Sequence, residues 1–124
     1  MLYYCNANSI PDNAKEVWFV VRSLQIYKPV KGIVYRHVNV LSPNLELFLW
    51  GRKRIQLNNW TKENYNIYAI RYIEQIQNDP AALKLIDYLR KIKEDPSHDI
   101  YLVCYCQNFE RCHLKILKSI IEYL

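Results

Sequence analysis

The sequence predicts an α/β fold in which a single, mostly parallel sheet is flanked by helices, a Rossmann-like three-layer sandwich, and three observations predict it. Short runs rich in aromatic and β-branched residues are bounded by turn signals, as buried strands are. Between the third of these runs and the last, apolar residues recur every three or four positions, the period of a helix face. The best strand, "DIYLVCYC", feeds directly into a final helix, an arrangement typical of parallel sheets joined by crossover helices.

Taken in order, "MLYYCNA" and "EVWFVV" read as the first two strands. "GIVYRHVNVL" reads as the third, with Val34, Arg36, Val38 and Val40 alternating against Tyr35, His37 and Asn39. Ser42 before Pro43 is a helix start, an N-cap hydroxyl followed by a ring that needs no amide partner, and predicts a short helix over "PNLELFLWG". Thr61 caps the next helix, where Tyr65, Tyr68, Ala69, Tyr72, Ile73 and Ile76 form one wide apolar stripe. Asp79 and Pro80 open a third helix, with Leu83, Ile86 and Leu89 inward and Lys84, Arg90, Lys91 and Lys93 outward. The final helix presents Ile116, Leu117, Ile120, Ile121 and Leu124 on one face. No repeat, Gly/Ser linker or low-complexity tract interrupts the chain, so residues 1–124 are expected to form one domain. A chain of 124 residues that is 51% hydrophobic suffices for one core and is short for two.

Charged residues break every apolar run before the roughly 20 residues a membrane span needs, so no membrane partner is expected. "MLYYCNANSI" lacks the basic start and long apolar core of a secretory signal, which makes the cytoplasm the expected compartment. There, four cysteines are expected as thiols, with metal binding, catalysis and simple burial as their uses. The net charge of +5 fits an anionic partner: a small molecule, a nucleotide or a nucleic acid. The two glycines are isolated, so there is no Gly-rich phosphate loop, no cofactor is indicated, and nothing in the sequence fixes the oligomeric state. Abundant Ile, Lys, Asn and Tyr suggest an AT-rich coding sequence, which suits a low-GC bacterium, an archaeon or one of their viruses.

In a parallel sheet the ligand crevice lies beyond the carboxyl ends of the strands, which would gather Asn6, Arg22 and the segment "CYCQNFERCH". Cys104 and Cys106, two apart, are expected on one face of the strand. Cys112 lies four residues before Ile116, and His113 four before Leu117, which puts both on the inward stripe of the final helix at its first turn. A helix N-terminus set against a strand end suits an anion, with Arg22 and Arg111 adding bidentate contacts and Tyr68 and Tyr72 turning hydroxyls toward it. It also suits a thiolate, with Cys112 or Cys106 as nucleophile and His113 as its base or acid. A zinc site would use Cys104, Cys106, Cys112 and His113, although their one-residue gap departs from the usual spacing of two to four residues. A cysteine is also readable as a small buried hydrophobe, which is the favoured reading for Cys104 and an even alternative for Cys112 with His113. The thiol-phosphatase loop is absent, because Cys104 to Arg111 is one residue too long and Cys106 to Arg111 one too short. "GRKR" at 51–54 reads as a solvated helix end, and His37 and His98 as an edge and a loop residue with no partner evident in the sequence.

"LSPNLELF", "YAIRYIEQI" and "IYLVCYCQNFERCHLKIL" resemble, in order and spacing from Val38 onward, the family labelled domain of unknown function 488 (DUF488). The resemblance matches Cys104 to the family's strand cysteine, Cys112 and His113 to its Cys-His pair, and Tyr68 and Tyr72 to its helix tyrosines. The chain departs from the family at Leu114, usually Arg, and at Cys106, often Glu. The resemblance implies a compact α/β domain with a strand-end site and no settled reaction. The expectation is therefore a small protein that binds an anionic molecule, nucleotide or nucleic-acid end at its Cys/His site, with thiol-dependent catalysis by Cys112 and His113 as the more specific form. The alternative is a non-catalytic accessory module, viral or from a mobile element, in which the cluster is structural, with or without zinc.

Overall fold

In the computed structural model, which describes residues 1–24, 30–106 and 108–124, four strands pair in parallel: β1 (Leu2–Asn6), β2 (Glu16–Phe19), β3 (Val34–His37) and β4 (Ile100–Cys104). Their order across the sheet is β1-β4-β2-β3, with every pairing parallel. Between β3 and β4 run α1 (Leu45–Gln56), α2 (Lys62–Gln77) and α3 (Pro80–Lys93), and α4 (His113–Tyr123) follows β4. The α/β class read from the sequence is borne out.

Register explains which side of the sheet the helices cover. Tyr4 and Trp18 both lie opposite Leu102, so the three share a face. The Tyr88 ring of α3 stacks on Trp18 with centroids 5.8 Å apart, and the Lys118 ammonium of α4 sits 5.5 Å from the Tyr4 ring. Ile86, Leu89, Leu117 and Ile121 are buried beneath these helices, each worth about 1.5–3 kcal/mol of transfer free energy. The sequence anticipated helices on both faces; α3 and α4 meet this one, while the other carries the Tyr3–Tyr101 stack, with Tyr3 40% exposed. Among the described residues no helix is long and apolar enough to cross a membrane.

Local chemistry sets the helix ends and corrects several expectations. The cap of α1 is Asn44, not Ser42: its side-chain oxygen accepts from the Leu47 amide at 2.9 Å. Ser42 instead donates its hydroxyl to the Asn39 carbonyl at 2.6 Å, closing a 3₁₀ turn (Asn39–Leu41) that also ends the third strand earlier than its alternation suggested. The helix runs on to Gln56, where Asn58 takes a left-handed conformation (φ 53) and the Asn59 amide reaches back to Arg54 at 2.7 Å. Thr61 and Asp79 cap α2 and α3 as expected.

On α3, Ala82 turns inward and Leu83 is 40% exposed, which rotates the buried stripe by one position. Arg90 is not a solvent-facing charge but donates to the carbonyls of Ile121 at 3.1 Å and Ile120 at 2.9 Å, satisfying the last turn of α4. Leu124 lies past that turn and is 62% exposed. Both outlying histidines have partners: His37 bonds the Val21 carbonyl at 2.7 Å, and His98 meets the Glu16 carboxylate at 2.9 Å.

Candidate functional site

The parallel register brings the ends of β1, β2 and β4 to one edge of the sheet, and α4 starts there. Cys112 is the N-cap of α4, its sulfur 3.4 Å from the Leu114 amide, which donates to it. The Tyr65 hydroxyl of α2 donates to the Cys112 carbonyl at 2.8 Å, and the Asn6 side chain donates to the Cys106 carbonyl at 2.6 Å. The backbone past the end of β4 is thus held by β1 at Cys106, and the start of α4 by α2 at Cys112.

Within this frame the sulfurs of Cys104, Cys106 and Cys112 all lie within 4.8 Å of one another, and those of Cys104 and Cys112 are 3.3 Å apart. His113 completes the group, with Nδ1 3.8 Å from Cys106 Sγ and 3.7 Å from Cys112 Sγ. Its Nε2 lies 2.7 Å from the Val20 carbonyl. A carbonyl only accepts, so Nε2 carries the hydrogen and the Nδ1 lone pair faces the sulfurs. Burial lowers the imidazole pKa and keeps the ring neutral. Among the thiols, hydrogen bonds from Cys106 and Cys112 hold Cys104 well below the ordinary thiol range, and the same bonds push Cys106 and Cys112 up.

In front of the cluster opens a cleft of about 590 Å³. Cys106 and His113 line it; Arg22, Arg52 and Arg111 supply charge; Phe48, Trp60, Tyr68 and Tyr105 supply flat apolar wall. Among the described residues none of the three arginines has an ion-pair partner. Arg22 lies 5.9 Å from the Phe48 ring centre, and the Trp60 ring meets those of Tyr65 and Tyr68 edge-on.

Of the residues singled out from the sequence, Arg22, Arg111, Tyr68, Cys106 and His113 come together in the cleft. Cys112, 1% exposed, and Cys104 lie behind them. Tyr72 is fully buried and its hydroxyl is committed to the Leu41 carbonyl, so it reaches the site only through its ring, edge-on to His113 at 6.1 Å. Asn6 positions the backbone of Cys106. Sequence reasoning missed Ser42, Phe48, Arg52, Trp60 and Tyr105. One signal was available: Leu45, Phe48, Leu49 and Arg52 follow helical spacing, and the three apolar members are exposed rather than buried because they form the cleft wall.

A family model described as the active DUF488-N3 subclade (DUF488-N3a) matches residues 4–123, and the chain belongs to that family. Comparison with curated proteins and with solved structures found no match.

Proposed function

We propose, taking membership of this family as the premise, that the protein binds an anionic ligand with a flat ring, a nucleotide or the end of a nucleic-acid strand, in the strand-end cleft. The observation that carries the reading is three arginines without ion-pair partners among the described residues, around an aromatic-walled cleft whose floor is Cys106 and His113. Charged hydrogen bonds from Arg to phosphate contribute about 1.5–3 kcal/mol each, and stacking a base on an aromatic ring about 1–3 kcal/mol. The family's description as active supports a reaction, and Cys106 and His113 are the cluster residues that line the cleft. Burial of Cys112 argues against the thiol attack expected of it.

Calorimetric titration with adenosine monophosphate, adenosine, inorganic phosphate and a 5′-phosphorylated dinucleotide tests the reading. The phosphate-bearing nucleotides should bind more tightly than adenosine or phosphate alone. Adenosine binding as well as its monophosphate, or no saturable binding by any phosphate-bearing probe, would end the proposal.

A further inference from the structure

We infer that Cys104, Cys106, Cys112 and Nδ1 of His113 together hold one thiophilic divalent metal ion, zinc foremost, at the floor of the cleft. A tetrahedron with zinc–sulfur bonds of about 2.3 Å and zinc–nitrogen bonds of about 2.0–2.1 Å has edges of about 3.5–3.8 Å. The separations of 3.3, 3.7 and 3.8 Å among these four atoms match that size to within a few tenths of an ångström. The remaining sulfur pairs fall within 4.8 Å.

Two further observations point to an ion. The Val20 carbonyl fixes the His113 tautomer from behind, as the outer partner of a ligating histidine does, and leaves Nδ1 aimed at the sulfurs. That buried lone pair otherwise has only weak sulfur donors at 3.7 and 3.8 Å. In addition, the Leu114 amide at the start of α4 donates to Cys112 Sγ, a contact that favours thiolate over thiol. The short gap between Cys104 and Cys106 is no obstacle in three dimensions. The strand ends at Cys104, the next two residues leave extended pairing, and α4 brings the other two ligands across to meet them.

Four protein ligands complete a tetrahedral shell, so the ion is structural: it ties the end of β4 to the first turn of α4. The ion takes its cysteine ligands as thiolates, so binding releases thiol protons to solvent. This inference goes beyond the proposed ligand binding. The two share Cys106 and His113, but the nucleotide reading rests on the arginines and aromatic wall and the metal on the three sulfurs and Nδ1, so a metal spectrum and a nucleotide titration report on them separately.

The test is cobalt substitution in the full chain after chelator treatment. One equivalent of Co(II) should produce the intense visible bands of a tetrahedral site with thiolate-to-cobalt charge transfer, and one equivalent of zinc should bleach them. Zinc should raise Tm. Cys5→Ser, outside the cluster, should leave the spectrum unchanged, while Cys106→Ser and His113→Ala should weaken binding at least tenfold. A pale octahedral spectrum, no charge-transfer absorption, or an undiminished signal in Cys106→Ser would overturn the inference. Should His113→Ala fail to fold, the wild-type and Cys106→Ser spectra still decide, because the charge-transfer intensity reports the number of thiolates.

Discussion

The two ends of the sheet treat the same residue types in opposite ways. At the amino end Glu16 is surrounded: Trp18 donates its indole N–H to it at 2.7 Å, His98 meets it at 2.9 Å and Arg36 at 3.7 Å. The Glu16 carboxylate there is met by three side chains of the same end. At the carboxyl end three arginines have no carboxylate among the described residues, and His113 uses one ring nitrogen on a backbone carbonyl while turning the other toward three sulfurs. An end whose polar groups satisfy each other maintains the fold. An end that leaves cations and lone pairs facing a cleft is equipped to receive something else.

The contrast is open to attack from both sides, and the largest effect is expected at the carboxyl end. Replacing His113 with Ala removes a buried ring and leaves the Val20 carbonyl without its donor, which should lower unfolding free energy by about 2–4 kcal/mol in a urea titration. A stability within about 0.5 kcal/mol of wild type, the range of an ordinary surface substitution, would mean that His113 is not the keystone described. Next, Arg22→Ala and Arg111→Ala should each weaken nucleotide binding by about tenfold, the equivalent of one charged hydrogen bond, while leaving the urea midpoint nearly unchanged. Glu16→Gln should do the reverse: it disturbs the Trp18, His98 and Arg36 contacts, lowers stability by about 1–2 kcal/mol and leaves nucleotide affinity intact. If Glu16→Gln alters binding, the separation between the ends is wrong. The smallest effect concerns Gly51, a helical glycine in the cleft wall whose added Cβ would meet Tyr68 at 3.4 Å and Trp60 at 3.6 Å, ordinary contact distances. Gly51→Ala should raise stability by about 0.5–1 kcal/mol, read as a shift in the same urea midpoint.

Periodicity carried much of the fold. The apolar stripe of α2, the strength of β4 and the inward placement of Cys112 and His113 follow from spacings of two, three and four residues, and each is found in the structure. What periodicity could not fix was the choice between two acceptable local solutions. Ser42 and Asn44 are both good caps, and Pro43 tolerates a start on either side of it, so tertiary contact decided: the Gln75 side chain accepts from the Asn44 amide and donates to the Ser42 carbonyl. Arg90 looked like surface charge because its partners, the last carbonyls of α4, are some thirty residues away in sequence.

The site was legible as a place more than as a list. Strand ends converge by topology, so Arg22, Arg111 and the Cys/His segment were predictable neighbours. Which thiol faces the cleft depends on where β4 stops and how α4 docks, and that turned the expected emphasis from Cys112 to Cys106. The aromatic wall from α1 and Trp60 was harder to read: the helical spacing of Leu45, Phe48 and Leu49 marks an apolar face, but spacing alone does not tell a face that packs in the core from one that lines a cleft.

The most direct test of the central claim, that the carboxyl end of the sheet is the receiving end, is amide chemical-shift mapping of the uniformly labelled protein titrated with adenosine monophosphate. The account predicts saturable shifts at Ser23, Ser42, Arg111 and His113, with Glu16, His98 and their neighbours unmoved. Shifts centred on Glu16 and His98, or a spectrum that nucleotide leaves unchanged, would contradict it.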